Sequence, residues 1–185
     1  MKKELESPDL RSNLIETATR LLEHQGPSAI QARSLAKEAG VSTMAVYSAF
    51  GGMPQLLCAV ADHGYRVLAA AFEEIPKTDD PVADIFRLAL TYRTIARKNP
   101  HLYDLMFGLS TRGAYRAIEL ESGANRDAQS APYQLTYGYL AKAATRLVEA
   151  GRVRPDDPDV IAAQLEGGVG FGLGHGGHGP LLYGL

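Results

Sequence analysis

Arg33-Ser34-Leu35-Ala36-Lys37-Glu38-Ala39-Gly40-Val41-Ser42-Thr43-Met44-Ala45-Val46-Tyr47-Ser48-Ala49-Phe50 is the stretch whose reading decides the fold. Leu35, Ala36 and Ala39 fall on one helical face, Gly40 supplies the left-handed position that ends a helix, and Ser42 can cap the next. Val46 and Phe50 recur four residues apart on the inner side of that second helix. Its outward positions, Thr43, Ala45, Tyr47 and Ser48, are small or polar. A helical hairpin that keeps large aliphatics off its second helix has the form of a helix-turn-helix offered to a DNA major groove. The same pattern also fits an ordinary hairpin inside an all-α core.

Outward from this hairpin, Leu10, Leu14, Ala18, Leu21 and Leu22 keep a helical stripe that starts near Ser7-Pro8 and stops at Gly26-Pro27. That first helix braces the hairpin, because a two-helix unit cannot bury its own apolar face. After Gly51-Gly52 and Pro54, the residues Leu56, Leu57, Val60, Ala61, Gly64, Val67, Leu68 and Phe72 give a long fourth helix that leaves the first domain. A polar linker, Ile75 to Pro81, leads to a fifth helix through Val82, Ile85, Phe86, Ala89, Arg93 and Ala96, closed by Asn99-Pro100. His101, Leu102, Leu105 and Met106 suit a short sixth helix. Tyr115 to Leu120 suggests a further helix and Gly123 to Ser130 a loop. Pro132 to Val148 is a firm helix ended by Gly151, and Pro158 to Val169 opens the last. No strand alternation is visible, so the expectation is an all-α chain of about nine helices. Residues 1-54 form the helix-turn-helix domain and residues 55-185 a helical effector-binding and dimerisation domain.

Composition bounds the rest. With 185 residues and 45% hydrophobic content the chain can build a substantial core. No apolar run of about 18 residues occurs, and the polar start Met1 to Glu6 does not read as a signal peptide. A cytoplasmic protein without membrane contact is expected. The single cysteine, Cys58, sits in an apolar helical run and reads as a small hydrophobe. Charge argues against DNA: the net charge is -2, and residues 1-50 balance six cations (Lys2, Lys3, Arg11, Arg20, Arg33, Lys37) with six acids (Glu4, Glu6, Asp9, Glu16, Glu23, Glu38). Any basic footprint must come from placement, from the doubling of a dimer, and from helix N-termini that bind phosphate through backbone N–H groups.

Leu35-Ala36, Ala39-Gly40-Val41-Ser42, Val46-Tyr47, Phe50 and Leu56-Leu57, preceded by Ala18, Leu21-Leu22 and Gly26, resemble the DNA-binding domain of the TetR family of one-component repressors. The resemblance covers residues 10 to 60. It implies a homodimer that grips a pseudo-palindromic double-stranded DNA operator and is released by a small-molecule effector. Arg33, Lys37, Ser42, Thr43, Met44, Ala45, Tyr47 and Ser48 are the candidate DNA-binding residues. The family gives the tyrosine a phosphate contact; packing of Tyr47 on the first helix is the alternative. Where the family has a lysine three residues after the phenylalanine, this chain has Met53, which removes one phosphate contact per subunit.

Farther along, Tyr92-Arg93, Asn99 to Phe107 and Glu149-Ala150-Gly151-Arg152 resemble the branch of that family marked by a late Trp-x-x-x-His-Gly. The matching positions here are Leu165, Val169 and Gly170, so the signature side chains are missing. Six of the nine tyrosines lie between Tyr92 and Tyr139, more phenol than a dry core readily satisfies. Phe86, Tyr92, Arg93, Tyr103, Met106, Phe107, Tyr115, Tyr133 and Tyr137 are the candidate ligand-binding residues, for an apolar or aromatic effector. An inward-facing Arg93 would favour an anionic or carbonyl-bearing one. Each of these side chains also suits plain core. Leu140, Ala144, Leu147, Leu165, Gly168 and Gly172 are candidates for a four-helix subunit interface.

Gly174, Gly176 and Gly179 satisfy Gly-x-Gly-x-x-Gly without a preceding strand, so the phosphate-loop reading fails. His175 and His178 are too few for a metal site. No metal, cofactor or catalytic pair is expected, and the rival to a regulator is a helical small-molecule-binding module whose DNA binding is weak or lost.

Overall fold

The computed structural model describes residues 7–106, 130–153, 158 and 160–162. The described residues are all helical: α1 (Ser7–Gln25), a 3-10 turn (Pro27–Ala29), α2 (Ala32–Ala39), α3 (Thr43–Phe50), α4 (Met53–Glu73), α5 (Pro81–Lys98), α6 (Pro100–Met106) and α7 (Ala131–Glu149). Among them there is no strand, as the patterning predicts. The expected helix over 115–120 lies outside the described residues, and of the expected last helix only 158 and 160–162 are described, all helical.

Caps set the boundaries where the sequence places them. Gly40 ends α2 at φ 70°, ψ 27°, with its N–H on the Ala36 and Lys37 carbonyls. Gly51 ends α3 at φ 80°. The Asp80 carboxylate accepts from the Val82 and Ala83 N–H groups at 3.0 and 3.2 Å and so starts α5. Asn99 Oδ1 accepts from the Leu102 N–H at 3.0 Å and turns the end of α5 into the start of α6.

Two compact units emerge, and they are not consecutive stretches of chain. Among the described residues, packing groups 7–65 with 98–106 in one unit, and 66–97 with 130–153, 158 and 160–162 in the other. The first unit has an aliphatic core in which Leu14, Leu22, Leu35, Val46, Leu56, Leu57 and Val60 are almost wholly buried. α6 contributes Leu102 and Leu105 to that core, so a helix that begins at Pro100, far along the chain from the turn at Gly40, completes the hairpin's support. Gly64 makes this possible: a Cβ there would lie 2.5 Å from the Met106 Sδ and 3.3 Å from a Leu102 methyl. The Tyr65 hydroxyl donates to the Met106 carbonyl at the end of α6. Asn99 Nδ2 reaches the Thr19 carbonyl of α1 at 3.4 Å.

Within the second unit, α7 packs Leu140 and Ala144 against Ala162, with Tyr137, Ala141 and Ile161 at the edge. Phe72 of α4 meets Tyr139 edge to face at 5.8 Å between ring centroids. Among the described residues no single helix is long and apolar enough to cross a membrane. α3 and α4 reach that composition only when taken together across a 69° bend, and Val46, Phe50, Leu56, Leu57, Val60, Leu68 and Phe72 among them are buried.

Candidate nucleic-acid interface

The hairpin's geometry follows from its caps and its buried face. Leu35 and Ala36 of α2 and Val46 and Phe50 of α3 are buried together against α1 and α4. With that face committed, rotation about the helix axis leaves the opposite face of α3 outward. Met44 is 75% exposed and Tyr47 43% exposed. Ser48 is exposed, and Thr43 and Ala45 are half-buried beside them. Tyr47 is not part of the buried core. Its phenol stands on the open face.

The Ser42 Oγ accepts from the Ala45 N–H at 3.1 Å. This capping bond supports the first turn of α3, whose other N–H groups point outward along the axis. Arg33 and Lys37, four residues apart, are both exposed on α2. Met53 is half-buried and packs on the aliphatic core, so the position that holds a lysine in the related pattern points its side chain inward here.

Arg11 escaped the sequence reading. Its guanidinium lies 4.4 Å from the centroid of the Phe50 ring and donates to the Ala49 carbonyl. One side chain of α1 thus covers the ring that anchors α3 and occupies a carbonyl of its last turn, where a cation is favoured. The available signal was its place on α1 three residues before Leu14, at the margin of the buried stripe.

The described ligand candidates are distributed over both units. Phe86 is 45% exposed and Arg93 is exposed as well. The buried face of α5 is carried by Ile85, Leu88, Tyr92 and Ala96, and Arg93 lies one residue off it. Tyr103 is buried and Met106 half-buried in the first unit. Tyr92, Tyr133 and Tyr137 belong to the second, where the Tyr133 and Tyr137 rings stack at 6.1 Å. Phe107 and Tyr115 lie outside the described residues.

The interface candidates Leu140, Ala144 and Leu147 lie on α7 and are 9%, 0% and 3% exposed in the single chain. Leu165, Gly168 and Gly172 lie outside the described residues, as do His175 and His178.

A charged knot in the second unit was not foreseen. The carboxylate of Asp84 on α5, 6% exposed, accepts from the Thr78 N–H at 3.0 Å and the Thr78 hydroxyl at 2.7 Å. It also pairs with Arg87 at 2.8 Å and with Arg146 of α7. Arg146 donates in turn to the Thr78 carbonyl. Burial pushes the Asp84 carboxyl up. The Arg146 guanidinium and the Thr78 donors outweigh it and hold the group well below the usual carboxylate range. In the first unit, burial raises the Asp104 carboxyl against the opposing charge of His101.

Residues 14–60 match the family model for bacterial regulatory proteins of the tetR family. Comparison with curated protein sequences gives no match. Among solved structures, a protein of unknown function from Rhodococcus sp. RHA1 superposes with TM-score 0.67 at 26% identity over 91% of this chain and 87% of that one. BioQ with its natural double-stranded DNA operator gives TM-score 0.60 at 24% identity, over 92% and 85%. AibR in complex with isovaleryl coenzyme A and operator DNA gives 0.61 at 18% identity, over 89% and 85%. The helix-turn-helix at residues 14–60 is that of the tetR family of bacterial regulatory proteins, and the chain around it has the fold of that family's transcriptional regulators.

Proposed function

We propose that the chain is a ligand-released transcriptional repressor that binds a pseudo-palindromic operator as a homodimer. The observation that carries the reading is the outward face of α3. It holds Met44 at 75% exposure and Tyr47 at 43% on a hairpin whose Leu35, Val46 and Phe50 are buried. A helix presented in this way fits a major groove, with its first turn toward the base edges. In the working dimer two such helices meet successive grooves about 34 to 36 Å apart. Arg33, Lys37, Ser42 and Tyr47 serve the phosphates, and residues 55-185 hold an apolar effector. BioQ bound to its operator and AibR bound to an acyl-coenzyme A and operator DNA support both halves of the reading by likeness of fold.

Ligand binding acts by favouring a conformer whose helices no longer match the groove spacing. A coupling of about 1 to 3 kcal/mol lowers operator affinity roughly 5- to 150-fold. Near-complete switching needs about 5.5. No enzymatic step is required of any residue, and the place of action is the cytoplasm, where the operator is.

A second reading, a helical ligand-binding module with weakened DNA binding, is favoured by the inward Met53 and by the balanced charge of residues 1–50. One experiment separates the two. Purified protein is used to select genomic fragments at low and then at physiological salt. Enrichment of a single inverted repeat, lost with Tyr47→Ala, establishes the repressor; diffuse binding erased by salt establishes the module.

A further inference from the structure

We propose that Met44 is the specificity-determining residue of the hairpin, and that it recognises the operator through the 5-methyl group of a thymine. The inference rests on the regulator reading above. It starts from an inventory of what α3 can offer. Guanine is read best by arginine or lysine, adenine by asparagine or glutamine, and cytosine by a carboxylate. The eight residues of α3, Thr43-Met44-Ala45-Val46-Tyr47-Ser48-Ala49-Phe50, include none of these. Val46 and Phe50 are buried and Ala49 is half-buried in the same core. The Ser42 hydroxyl oxygen is engaged by the Ala45 N–H.

The remaining outward groups are the hydroxyls of Thr43, Tyr47 and Ser48, the methyls of the half-buried Thr43 and Ala45, and the far longer, exposed thioether of Met44. Hydroxyls donate and accept, so they discriminate poorly among base edges. Arg33 and Lys37 stand on α2, the helix that crosses the backbone rather than entering the groove. Met44 lies in the first turn of α3, the part of a recognition helix that meets the bases. Among the described residues it is also the most exposed large apolar side chain, at 75%. An unbranched, polarizable side chain in that place has one complementary feature in the major groove, the methyl of thymine. Burial of one methyl is worth about fourfold in affinity.

The test uses the full chain and the symmetric operator recovered by selection. Each thymine of a half-site is replaced in turn by deoxyuridine, which removes the methyl group alone. One thymine per half-site should weaken binding by about fourfold, and the same replacement should leave the affinity of Met44→Ala unchanged. Met44→Gln, which carries the adenine-reading amide, should move the preferred base at that position. A flat deoxyuridine scan on a tightly bound symmetric operator overturns the methyl contact and leaves the regulator intact. A methyl effect that survives in Met44→Ala assigns the contact to another residue and overturns the role of Met44. Recovery of no symmetric operator overturns the regulator reading and this inference with it.

Discussion

The two units are held together by different means. The first is an aliphatic core in which four helices and α6 interlock through Leu14, Leu22, Leu35, Leu56 and Leu105. Both ion pairs found among the described residues belong to the second unit and centre on Asp84. Apolar burial is indifferent to pH and tolerant of small shifts, whereas a buried carboxylate demands every partner in place. The unit that must present α3 in one fixed attitude is thus built from the pH-insensitive interaction. The other unit carries a polar clasp joining the 74–80 segment, α5 and α7.

The sharpest way to break this contrast is to open each core separately. Leu35→Ala removes a side chain with no exposed surface and should destabilise the first unit by about 2 to 5 kcal/mol. Hydrogen exchange should show the loss first in α2 and α3. Arg146→Met leaves Asp84 buried with only Thr78 and Arg87, and should weaken the second unit by about 3 kcal/mol. In that variant exchange should quicken in α5 and α7, and early protection loss in α2 and α3 instead would contradict the division into units.

Acid should act on the same side of the comparison. The Asp84 carboxyl is held below its unfolded value, so its contribution is fully present above the ordinary carboxylate range, near pH 4, and is lost as pH falls through the lower folded value. Stability measured between about pH 5 and 2 should therefore decline, and Asp84→Asn should flatten that decline. Smaller effects belong to the hairpin. Arg11→Ala forfeits the ring contact and a carbonyl partner and should cost about 1 kcal/mol, with a matching drop in operator affinity. Gly40→Ala meets no neighbour within 4 Å at φ 70°, so its cost of about 1 kcal/mol is purely conformational. Gly40→Asn should recover part of it.

Much of the first unit was legible because its determinants are local. The stripe on α1, the stop at Gly26, the turn at Gly40, the cap at Ser42 and the inward pair Val46 and Phe50 all act within a few residues of one another. Tyr47 was ambiguous from periodicity, and packing decided it. Arg11 was invisible as a brace because Ala49 is 38 residues away. The second unit was harder. Tyrosine abundance suggested a lined cavity; of its candidates Tyr103 and Met106 belong to one unit and Tyr92, Tyr133 and Tyr137 to the other. Helical periodicity identifies the apolar face of Leu140, Ala144 and Leu147 without naming its partner.

The chain's residue order by itself determined the all-α class of the described residues, the helix ends and which helix of the hairpin keeps its large aliphatics inward. Those depend on backbone preferences and on 3.6-residue periodicity, which act over one or two turns. Only the tertiary structure decided that α6 closes the core under the hairpin, and that Arg93 faces outward. Only it joined Asp84 to Arg146 across 62 positions. Such pairings exist only once the helices are assembled, since the free energy that selects them comes from desolvation and close contact between distant segments rather than from any local signal.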